Sequence, residues 1–275
     1  MPELPEVETI RRDLAPELAG RTIHGVELRH DDLLLDGGEP AVFRRALEGR
    51  RIEAVDRRAK YLLFRLTGDR VLEVQLRMTG RFALGAEPPD PREFTHLGAA
   101  FRLDDGRTLY YDDVRRLGGF RLQDAEAWER RARDLGPEPL AEGFGPASLR
   151  RAFRDRRAPV KNVLLDQRRV AGVGNIYASE SLHAARIDPR RPAGSLSEEE
   201  CGRLADAVRS VLAEALRHAG TTFRNYRAVN GRSGAFQERL RVYARAGEAC
   251  GRCGDRLRRL VQAGRSTFFC PGCQE

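Results

Sequence analysis

Four cysteines near the end of the chain have the spacing of a metal site. Cys250 and Cys253 form one CxxC pair, Cys270 and Cys273 form a second, and sixteen residues separate the pairs. Two such pairs supply four thiolates, a tetrahedral ligand set that leaves no open position and therefore suits structural zinc. We predict one structural Zn²⁺ ion; redox-active CxxC pairs are the alternative. The fifth cysteine, Cys201, lies within a helical pattern and is expected in the core.

The first eight residues, Met-Pro-Glu-Leu-Pro-Glu-Val-Glu, could form a reactive terminus. An initiator methionine is usually removed before a residue as small as proline, which would leave Pro2 with a free secondary amine. Such an amine attacks aldehyde-like carbons, and its iminium adduct is cationic without further protonation. Glu3 would lie beside it and could transfer protons. The alternative is structural, because Pro5, Glu6 and Glu8 also suit the first turns of a helix.

Basic residues are unusual in type and in distribution. Of 49 Lys and Arg side chains, only Lys60 and Lys161 are lysines. A lysine retained in so arginine-rich a chain suggests that a compact ammonium is needed there, although chance retention is possible. Residues 141–275 carry 25 basic and 14 acidic side chains, whereas residues 1–140 carry 24 and 27. This excess is typical of a nucleic-acid-binding protein; solvated basic faces are the alternative.

Periodic patterns indicate the elements that position these residues. Apolar residues from Leu4 to Leu18 predict an amphipathic helix over residues 5–18, which would hold the N-terminus in place. A short helix is predicted at 41–47. Strands are predicted at 22–29, 51–58, 60–66, 71–78, 81–84, 97–103 and 107–112, with Asp105-Gly106 as the turn of the last hairpin. Many short strands after one helix favour a β-sandwich or flattened barrel.

The second half of the chain is predicted to be helical. Helices are expected at 125–134, 146–156, 159–168 and 176–186, with Asn175 as an N-cap after Gly172-Val173-Gly174, and a long helix runs from a capping box at Ser197 to Gly220. We predict an α+β fold with a β-sandwich domain (1–134), a linker (135–140), a helical domain (141–245) and a zinc finger (246–275). The sequence shows no apolar run of transmembrane length and no signal peptide, so we expect a soluble cytoplasmic protein.

Together these motifs resemble those of the formamidopyrimidine-DNA glycosylases over nearly the whole chain. The shared segments are the opening Pro-Glu-Leu-Pro-Glu-Val, Arg57–Leu63, Gln75–Gly80, Asp112–Gly118, Leu135–Leu140, the stretch from Lys161 through Glu180, and the cysteine pairs. The resemblance implies an N-terminal β-sandwich with its helix, a helix–two-turn–helix domain and a zinc-finger β-hairpin. It also implies a bifunctional glycosylase and AP lyase that excises oxidised purines from double-stranded damaged DNA, with no small-molecule cofactor, as a monomer.

The resemblance also assigns roles to individual residues. Pro2 would attack the sugar carbon, with Glu3 and Lys60 as the other candidate catalytic residues; Lys60 would reach a phosphate near the extruded nucleotide. The other candidate DNA contacts are His96, Arg116, Lys161, Asn175 and Arg265, the last in the minor groove and most of the others on phosphates. The Gly-Val-Gly-Asn turn also fits a plain connection between helices. Thr221–Arg239 matches a loop that folds over the flipped base in the family, or is an ordinary surface loop.

Two segments match the family's wedge elements with substitutions. Met78 would enter the gap left by the flipped base, Arg115 would face the orphaned base, and Leu117 stands where the family carries an aromatic wedge. Gln75, Arg77 and Val114 also depart from the family pattern. Loss of an aromatic ring removes stacking of about 1–3 kcal/mol per base, so we expect effects on rate and opposite-base discrimination. Met78 could alternatively be a core residue.

Two other functions remain open at this point. An endonuclease VIII-like enzyme would act on oxidised pyrimidines, although that branch carries Gly where this chain has Leu4. A non-catalytic, zinc-dependent protein that binds distorted duplexes would need neither Pro2 nor Glu3.

Overall fold

A computed structural model describes residues 2–221 and 234–275. The chain divides into two compact units: unit 1 comprises Met1–Ala132 and Ala219–Ala235, and unit 2 comprises Arg133–His218 and Phe236–Glu275. Among the described residues, no helix is both long enough and apolar enough to cross a membrane.

Unit 1 is a β-sandwich, as predicted. Its elements are α1 (Leu4–Leu18), β1 (Ile23–Leu28), α2 (Pro40–Leu47), β2 (Ile52–Arg58), β3 (Tyr61–Leu66), β4 (Arg70–Gln75), β5 (Gly80–Gly85), β6 (Leu97–Leu103), β7 (Thr108–Asp113), β8 (Gly119–Asp124) and α3 (Ala125–Ala132). The antiparallel sheets have the strand orders β1-β6-β7-β5 and β2-β3-β4-β8. Strand β8 was not predicted, because only the first two of its six residues are buried and its pattern is correspondingly weak.

The core of unit 1 lies between the two sheets and under α1. The apolar stripe of α1 is fully buried there, and Phe64, Phe82, Tyr111 and Phe120 form a chain of aromatic contacts through the sandwich. Burial of this stripe explains why the helix forms over these residues despite Pro16 in its last turn. The N-terminus is thereby fixed to the sheets, which positions the residues before α1.

Two short connections pass from one sheet to the other side by side. Residues 76–79 join β4 to β5, and residues 114–118 join β7 to β8. Gln75 pairs with Gly119 in one sheet and Gly80 pairs with Asp113 in the other, so both connections begin and end at matching register positions. The two predicted wedge segments therefore adjoin each other. The strand predicted at 71–78 ends at Gln75, because the chain leaves the sheet there.

Unit 2 contains α4 (Pro146–Phe153), α5 (Val160–Leu165), α6 (Asn175–Ala185), α7 (Glu198–Arg217) and the hairpin β9 (Arg258–Gln262) and β10 (Arg265–Phe269). The predicted capping box is present: the Ser197 amide donates to Glu200 Oε2 at 2.7 Å, and the Glu200 amide donates to Ser197 Oγ at 3.2 Å. The predicted N-cap at Asn175 is wrong. Gly174 occupies the cap position, and Asn175 is the first helical residue, its side chain engaged by Lys161 instead.

Candidate functional site

The N-terminal residues form a buried start to α1. Pro2 is buried, and Glu3 is the N-cap residue with its side chain in a capping box with Glu6. The Glu3 amide donates to Glu6 Oε2 at 2.8 Å. The helix-start interpretation of this segment is therefore confirmed. It does not exclude a reactive terminus, because the same contacts hold Pro2 and Glu3 in a fixed position.

Glu6 has a second partner that the sequence did not indicate. Its Oε1 atom accepts a hydrogen bond of 2.8 Å from the Thr221 amide. Gly220 has a positive φ of +80°, and a Cβ there would lie 2.6 Å from Glu6 Oε1, so the close approach requires glycine. Glu6 thus joins the start of α1 to Gly220 and Thr221. The loop predicted at Thr221–Arg239 lies mostly outside the described residues.

Lys60 is half-buried in the tight turn between β2 and β3. The turn contains Ala59 at a φ of +52°, and the Ala59 carbonyl accepts a hydrogen bond of 2.8 Å from Arg57 Nη1. Arg57 Nε donates in turn to Glu8 Oε2 at 3.1 Å. A continuous chain of contacts therefore runs from α1, which begins after Pro2 and Glu3, to the turn that carries Lys60.

Glu8 is held in its charged form. Burial alone would raise the pKa of this carboxyl, but hydrogen bonds from Arg11, Arg12 and Arg57 outweigh it and lower the pKa from 4.5 to about 2. At neutral pH the carboxylate is ionised, so the contact with Arg57 is a charge-assisted hydrogen bond of the stronger kind. From the sequence, only an interaction with the helix dipole was predicted for Glu8.

Large apolar side chains are exposed on the two adjoining connections. Met78, Val114 and Leu117 are 44%, 41% and 47% exposed, and they make up three of the five exposed large apolar residues in the described chain. Arg115 Nη1 lies 2.9 Å from Met78 Sδ, which joins the two connections through side chains. The core alternative for Met78 is therefore wrong. An apolar cluster exposed on two tight turns suits insertion into a partner.

The remaining sequence-predicted residues of unit 1 lie at the surface. Arg116 is exposed at a φ of +47°, with Nη1 at 3.4 Å from Asp32 Oδ2. His96 is exposed immediately before β6, and its amide donates to Asp112 Oδ1 at 2.6 Å. Both side chains are accessible to a ligand.

Gln75 and Arg77, which depart from the family pattern, lie in different environments. Gln75 is buried, and its Nε2 donates to Glu73 Oε1 at 2.8 Å. Glu73 is a fully buried carboxylate that also accepts hydrogen bonds from Gln123 Nε2 at 3.0 Å and Arg131 Nη1 at 2.9 Å. Arg77 is exposed with a φ of +49°. Gln75 thus belongs to an internal network, whose centre, Glu73, sequence analysis missed.

Lys161 lies inside unit 2, with 0% of its surface exposed. Its ammonium donates to Asn175 Oδ1 at 2.6 Å, Thr267 Oγ1 at 2.7 Å and the Ser266 carbonyl at 3.0 Å. An ammonium has three hydrogens, and these acceptors use all of them. In this structure Lys161 therefore joins Asn175 to β10, and its direct contact with a phosphate stays a prediction.

A buried carboxylate ties α6 to the segment before the zinc finger. Glu180 accepts backbone hydrogen bonds from Arg241 at 2.8 Å, Val242 at 3.0 Å and Tyr243 at 2.8 Å. Burial raises the pKa of Glu180, while these three backbone hydrogen bonds oppose the rise. This contact could not be predicted from the sequence, because more than sixty positions separate the partners.

The four cysteines meet as predicted. Their Sγ atoms all lie within 4.8 Å of one another, with 3.4 Å between Cys253 and Cys270 and 3.8 Å between Cys250 and Cys273. Tetrahedral zinc with Zn–S bonds near 2.3 Å requires sulfur separations of about 3.8 Å, so the set fits one zinc ion. None of the cysteines forms a disulfide. His183 Nε2 lies 3.5 Å from Cys250 Sγ, a contact of the kind that orients metal ligands.

Arg265 lies at the tip of the β9–β10 hairpin. The two turn residues, Ala263 and Gly264, have φ angles of +47° and +72°, which are values of a type I′ turn. Arg265 follows this turn directly, pairs with Gln262 and is exposed. The hairpin thus presents a guanidinium to the solvent from a rigid support.

Family models match three successive segments of the chain. They are described as the formamidopyrimidine-DNA glycosylase N-terminal domain (residues 1–120), the formamidopyrimidine-DNA glycosylase H2TH domain (residues 135–226), and a zinc finger found in FPG and IleRS (residues 247–275).

Whole-length relatives agree with these matches. The chain is 47% identical to the formamidopyrimidine-DNA glycosylase of Chloroflexus aurantiacus, over 100% of this chain and 98% of the relative, and 49% identical to that of Heliobacterium modesticaldum, over 100% of both. Among solved structures, MutM (Fpg) from Thermus thermophilus gives a TM-score of 0.88 at 45% identity, covering 99% of this chain and 98% of the other. Lactococcus lactis Fpg in complex with DNA containing an abasic site gives 0.90 at 35% identity, covering 99% of each. The predicted resemblance is thus confirmed, and the chain belongs to the formamidopyrimidine-DNA glycosylase family.

Proposed function

We propose that this chain is a bifunctional DNA glycosylase and AP lyase that removes oxidised purines, 8-oxoguanine and formamidopyrimidines, from duplex DNA in base excision repair. The observation that carries the proposal is the buried Pro2-Glu3 start of α1, held by Glu6 in a member of this family. Lactococcus lactis relatives in complex with DNA containing Fapy-dG or an abasic site support the substrate and the intermediate.

The reaction begins once Met1 is removed and the nitrogen of Pro2 is free. That nitrogen forms a bond to the anomeric carbon, the glycosidic bond breaks, and its electron pair leaves with the base, which takes a proton. The proline nitrogen gives up its proton, the bond between C1′ and the ring oxygen breaks as that oxygen takes a proton, and the product is an open-chain iminium that withdraws electrons from the sugar. Loss of sugar protons then breaks the two carbon–oxygen bonds to phosphate in turn, by β- and δ-elimination. Glu3 is the residue placed to carry protons at the sugar.

Proline is a better nucleophile here than either lysine. A lysine has a pKa of about 10.4 in model peptides, against about 7.7–8.0 for an α-amino group, so the terminus is more readily neutral. Lys161 is fully buried, and its side-chain nitrogen is surrounded by three acceptors within unit 2. Lys60 lies in a turn fixed through Arg57, where a charged ammonium can reach a phosphate.

DNA binding uses the two adjoining connections and the rigid basic positions. Met78 and Leu117 fill the gap left by the extruded nucleotide, and Arg115 faces the orphaned base. His96, Arg116, Asn175 and Arg265 contact the backbone or groove, which positions the duplex without reading its sequence. Extrusion costs a few kcal/mol, offset by insertion and these contacts. Leucine at 117 offers less stacking than an aromatic ring, so the choice of opposite base depends more on Arg115.

Borohydride trapping tests this proposal. The substrate is a duplex with 8-oxoguanine opposite cytosine, and mass spectrometry identifies the linked residue. We expect a covalent adduct at Pro2, lost in Pro2→Gly and in a protein that retains Met1, with DNA binding kept in both. Lys60→Arg serves as the matched control and should still be trapped, at a slower turnover. An adduct at Lys60 in the Met1-retaining protein would overturn the assignment.

A panel of lesions separates the alternatives. A Lactococcus lactis relative is described in complex with DNA that contains an oxidised pyrimidine, so such a substrate belongs in the panel. Faster excision of oxidised pyrimidines than of 8-oxoguanine would indicate an endonuclease VIII-like enzyme. Tight binding to damaged duplexes without any trapping would indicate a non-catalytic binder.

A further inference from the structure

Asp113 is a buried carboxylate at the point where the two adjoining connections leave the sheet. It is the last residue of β7 and pairs with Gly80, the first residue of β5. Residues 76–79 precede β5 and residues 114–118 follow β7, so Asp113 lies next to both. In the sequence Asp113 belongs to the segment Asp112–Gly118, but no role was predicted for it.

The carboxylate of Asp113 accepts hydrogen bonds from both connections. The Thr79 hydroxyl donates to Oδ1 from the first. From the second, the Arg115 amide donates to Oδ1 at 3.2 Å and the Gly118 amide donates to Oδ2 at 2.8 Å. The Arg115 amide also reaches Thr79 Oγ1 at 3.1 Å, which closes the contact between the two connections. Both carboxylate oxygens are therefore occupied by donors.

Tight packing prevents the connections from moving independently of this carboxylate. A Cβ at Gly80 would lie 2.6 Å from both the Leu76 carbonyl and the Tyr111 hydroxyl, and one at Gly118 would overlap the Gln75 carbonyl and the same hydroxyl. The Tyr111 hydroxyl itself donates to Asp113 Oδ2 at 3.4 Å. Burial raises the pKa of Tyr111, as does the negative charge of Asp113, so this hydroxyl stays a donor.

We infer that Asp113 is a positioning residue that sets opposite-base selectivity by holding Met78 and Arg115 in one fixed arrangement. Met78 directly precedes Thr79, whose hydroxyl Asp113 binds, and the backbone of Arg115 is bound through its own amide. The contact of 2.9 Å between Arg115 Nη1 and Met78 Sδ depends on both anchors. The inference rests on the proposed function, because it assigns the wedge and the orphan-base contact to these two side chains.

Asp112 provides a matched control in the preceding position. It is equally buried, but its carboxylate binds Arg81 Nε at 3.0 Å and the His96 amide at 2.6 Å, on neither connection. Asp112→Asn and Asp113→Asn therefore both remove one buried negative charge from β7. Only the second places an amide group, which is itself a donor, against donors from the two connections.

The decisive measurement compares excision of 8-oxoguanine opposite cytosine and opposite adenine. We consider the kcat/KM opposite cytosine divided by the kcat/KM opposite adenine. For Asp113→Asn we expect this ratio to fall about tenfold, toward one, which is the size expected when a charge-assisted hydrogen bond is lost. Asp112→Asn should keep the wild-type ratio, although we expect the thermal unfolding temperature to fall in both variants. An unchanged ratio in Asp113→Asn overturns the inference. Thr79→Val, which removes one anchor only, decides the question in the same way if Asp113→Asn does not fold.

A binding readout separates this inference from the proposed activity. The probe is a duplex with a tetrahydrofuran abasic analogue opposite 2-aminopurine, whose fluorescence rises when insertion unstacks it. Asp113→Asn should lose most of the rise while Asp112→Asn keeps it. If the wild-type protein shows the rise but excises no lesion, while Asp113→Asn loses the rise and Asp112→Asn keeps it, the proposed activity fails and the positioning of Met78 and Arg115 by Asp113 stands. If both variants behave like the wild type in a protein that excises, the positioning role fails alone.

Discussion

Lys161 places an ammonium group inside unit 2, and its chemistry follows from that position. Its three hydrogens are shared among Asn175 Oδ1, Thr267 Oγ1 and the Ser266 carbonyl. A charged lysine is costly to bury unless it is hydrogen-bonded in this way. Lysine suits the site better than arginine because a compact ammonium reaches three separate acceptors, whereas a planar guanidinium matches paired ones.

Replacing Lys161 with methionine should therefore lower the stability of the protein and leave the salt dependence of DNA binding nearly unchanged. Lys161→Met removes a donor from Asn175 Oδ1 and Thr267 Oγ1, whereas the Ser266 carbonyl keeps the hydrogen bond of 2.9 Å from Asn175 Nδ2. Each buried group left unsatisfied costs about 1–3 kcal/mol. We expect a lower unfolding temperature and equally weakened binding of damaged and undamaged duplexes, with little change in the salt dependence of binding. Thermal unfolding and binding at several salt concentrations check this. A salt slope shallower by about one with unchanged stability would show that Lys161 reaches a phosphate itself.

The rarity of lysine drew attention to Lys161 from the sequence alone, but the surroundings of its side chain could not be predicted. The retention of two lysines among 49 basic residues pointed to Lys161. Its partners Ser266 and Thr267 lie more than a hundred positions away, so no local pattern reveals the contact. The contacts of Glu73 and Glu180 were not predicted for the same reason, because they join residues far apart in the sequence. Local spacing did predict the cysteine cluster, because each CxxC pair is short and zinc imposes the remaining geometry.

At the scale of elements, helix α1 and the β2–β3 hairpin act as one support for the candidate catalytic residues. Arg57 donates to Glu8 on the helix and to the Ala59 carbonyl in the hairpin turn, so Lys60 is fixed relative to α1. The sequence predicted both elements and nearly their bounds. It did not predict the link, because Glu8 and Arg57 are 49 positions apart.

Loss of the link should slow chemistry more than it weakens binding. For Arg57→Met we expect the single-turnover excision rate to fall by about tenfold, the effect expected from a small misplacement of a catalytic group. Arg65→Met is the matched control on the same hairpin, since Arg65 pairs with Asp56 at 3.0 Å and with Glu129 at 3.5 Å, away from the turn. Rapid-quench kinetics and binding titrations check both. Equal rates in the two variants would contradict the positioning role of Arg57.

Acid should weaken the same link in a defined range. The pKa of Glu8 lies at about 2 in the folded protein, against 4.5 as its ordinary value. A lowered folded-state pKa means that Glu8 contributes stability above pH 4.5 and loses that contribution as the pH falls toward 2. The free energy of unfolding should therefore fall more steeply over this range in the wild type than in Glu8→Gln. Urea unfolding at several pH values measures it, and parallel curves would contradict the assignment.

The zinc hairpin is an element whose structure depends on its metal. Its small core contains Val242, Leu257 and Phe268 with two of the cysteines, which is too little apolar surface to fold alone. Cys253→Ser should release zinc, unfold residues near 250–273 and weaken DNA binding, while unit 1 stays folded. Cys201→Ser is the control, because Cys201 is buried in α7 away from the metal set. Measurements of amide hydrogen exchange and of zinc content test this prediction. If the hairpin amides of Cys253→Ser stayed protected from exchange, the prediction would be contradicted.

For the whole molecule, charge is divided unevenly along the chain. Residues 141–275 carry 25 basic against 14 acidic side chains, whereas residues 1–140 carry 24 against 27. The proposed nucleophile belongs to the acidic part and most of the excess positive charge to the other. The fold class was predictable because each family segment is contiguous. The assignment of Ala219–Ala235 to unit 1 was not predictable from the sequence, since it depends on contacts such as that between Glu6 and Thr221.

This uneven charge predicts that the salt dependence of DNA binding depends strongly on arginines within residues 141–275, with the exposed Arg265 as a direct test. Each phosphate neutralised on duplex DNA contributes about −0.9 to the slope of log K against log salt. We expect Arg265→Gln to make that slope shallower by about one unit and to weaken the binding of damaged and undamaged duplexes equally. The excision rate at saturating enzyme should be unchanged. Arg203→Gln is the control: Arg203 is exposed on α7 and pairs with Glu199 at 2.8 Å, so its loss should leave the slope as it is. Binding titrations across a range of salt concentrations measure both variants. The same slope change in both would mean that net charge, and not a contact at the hairpin tip, controls binding.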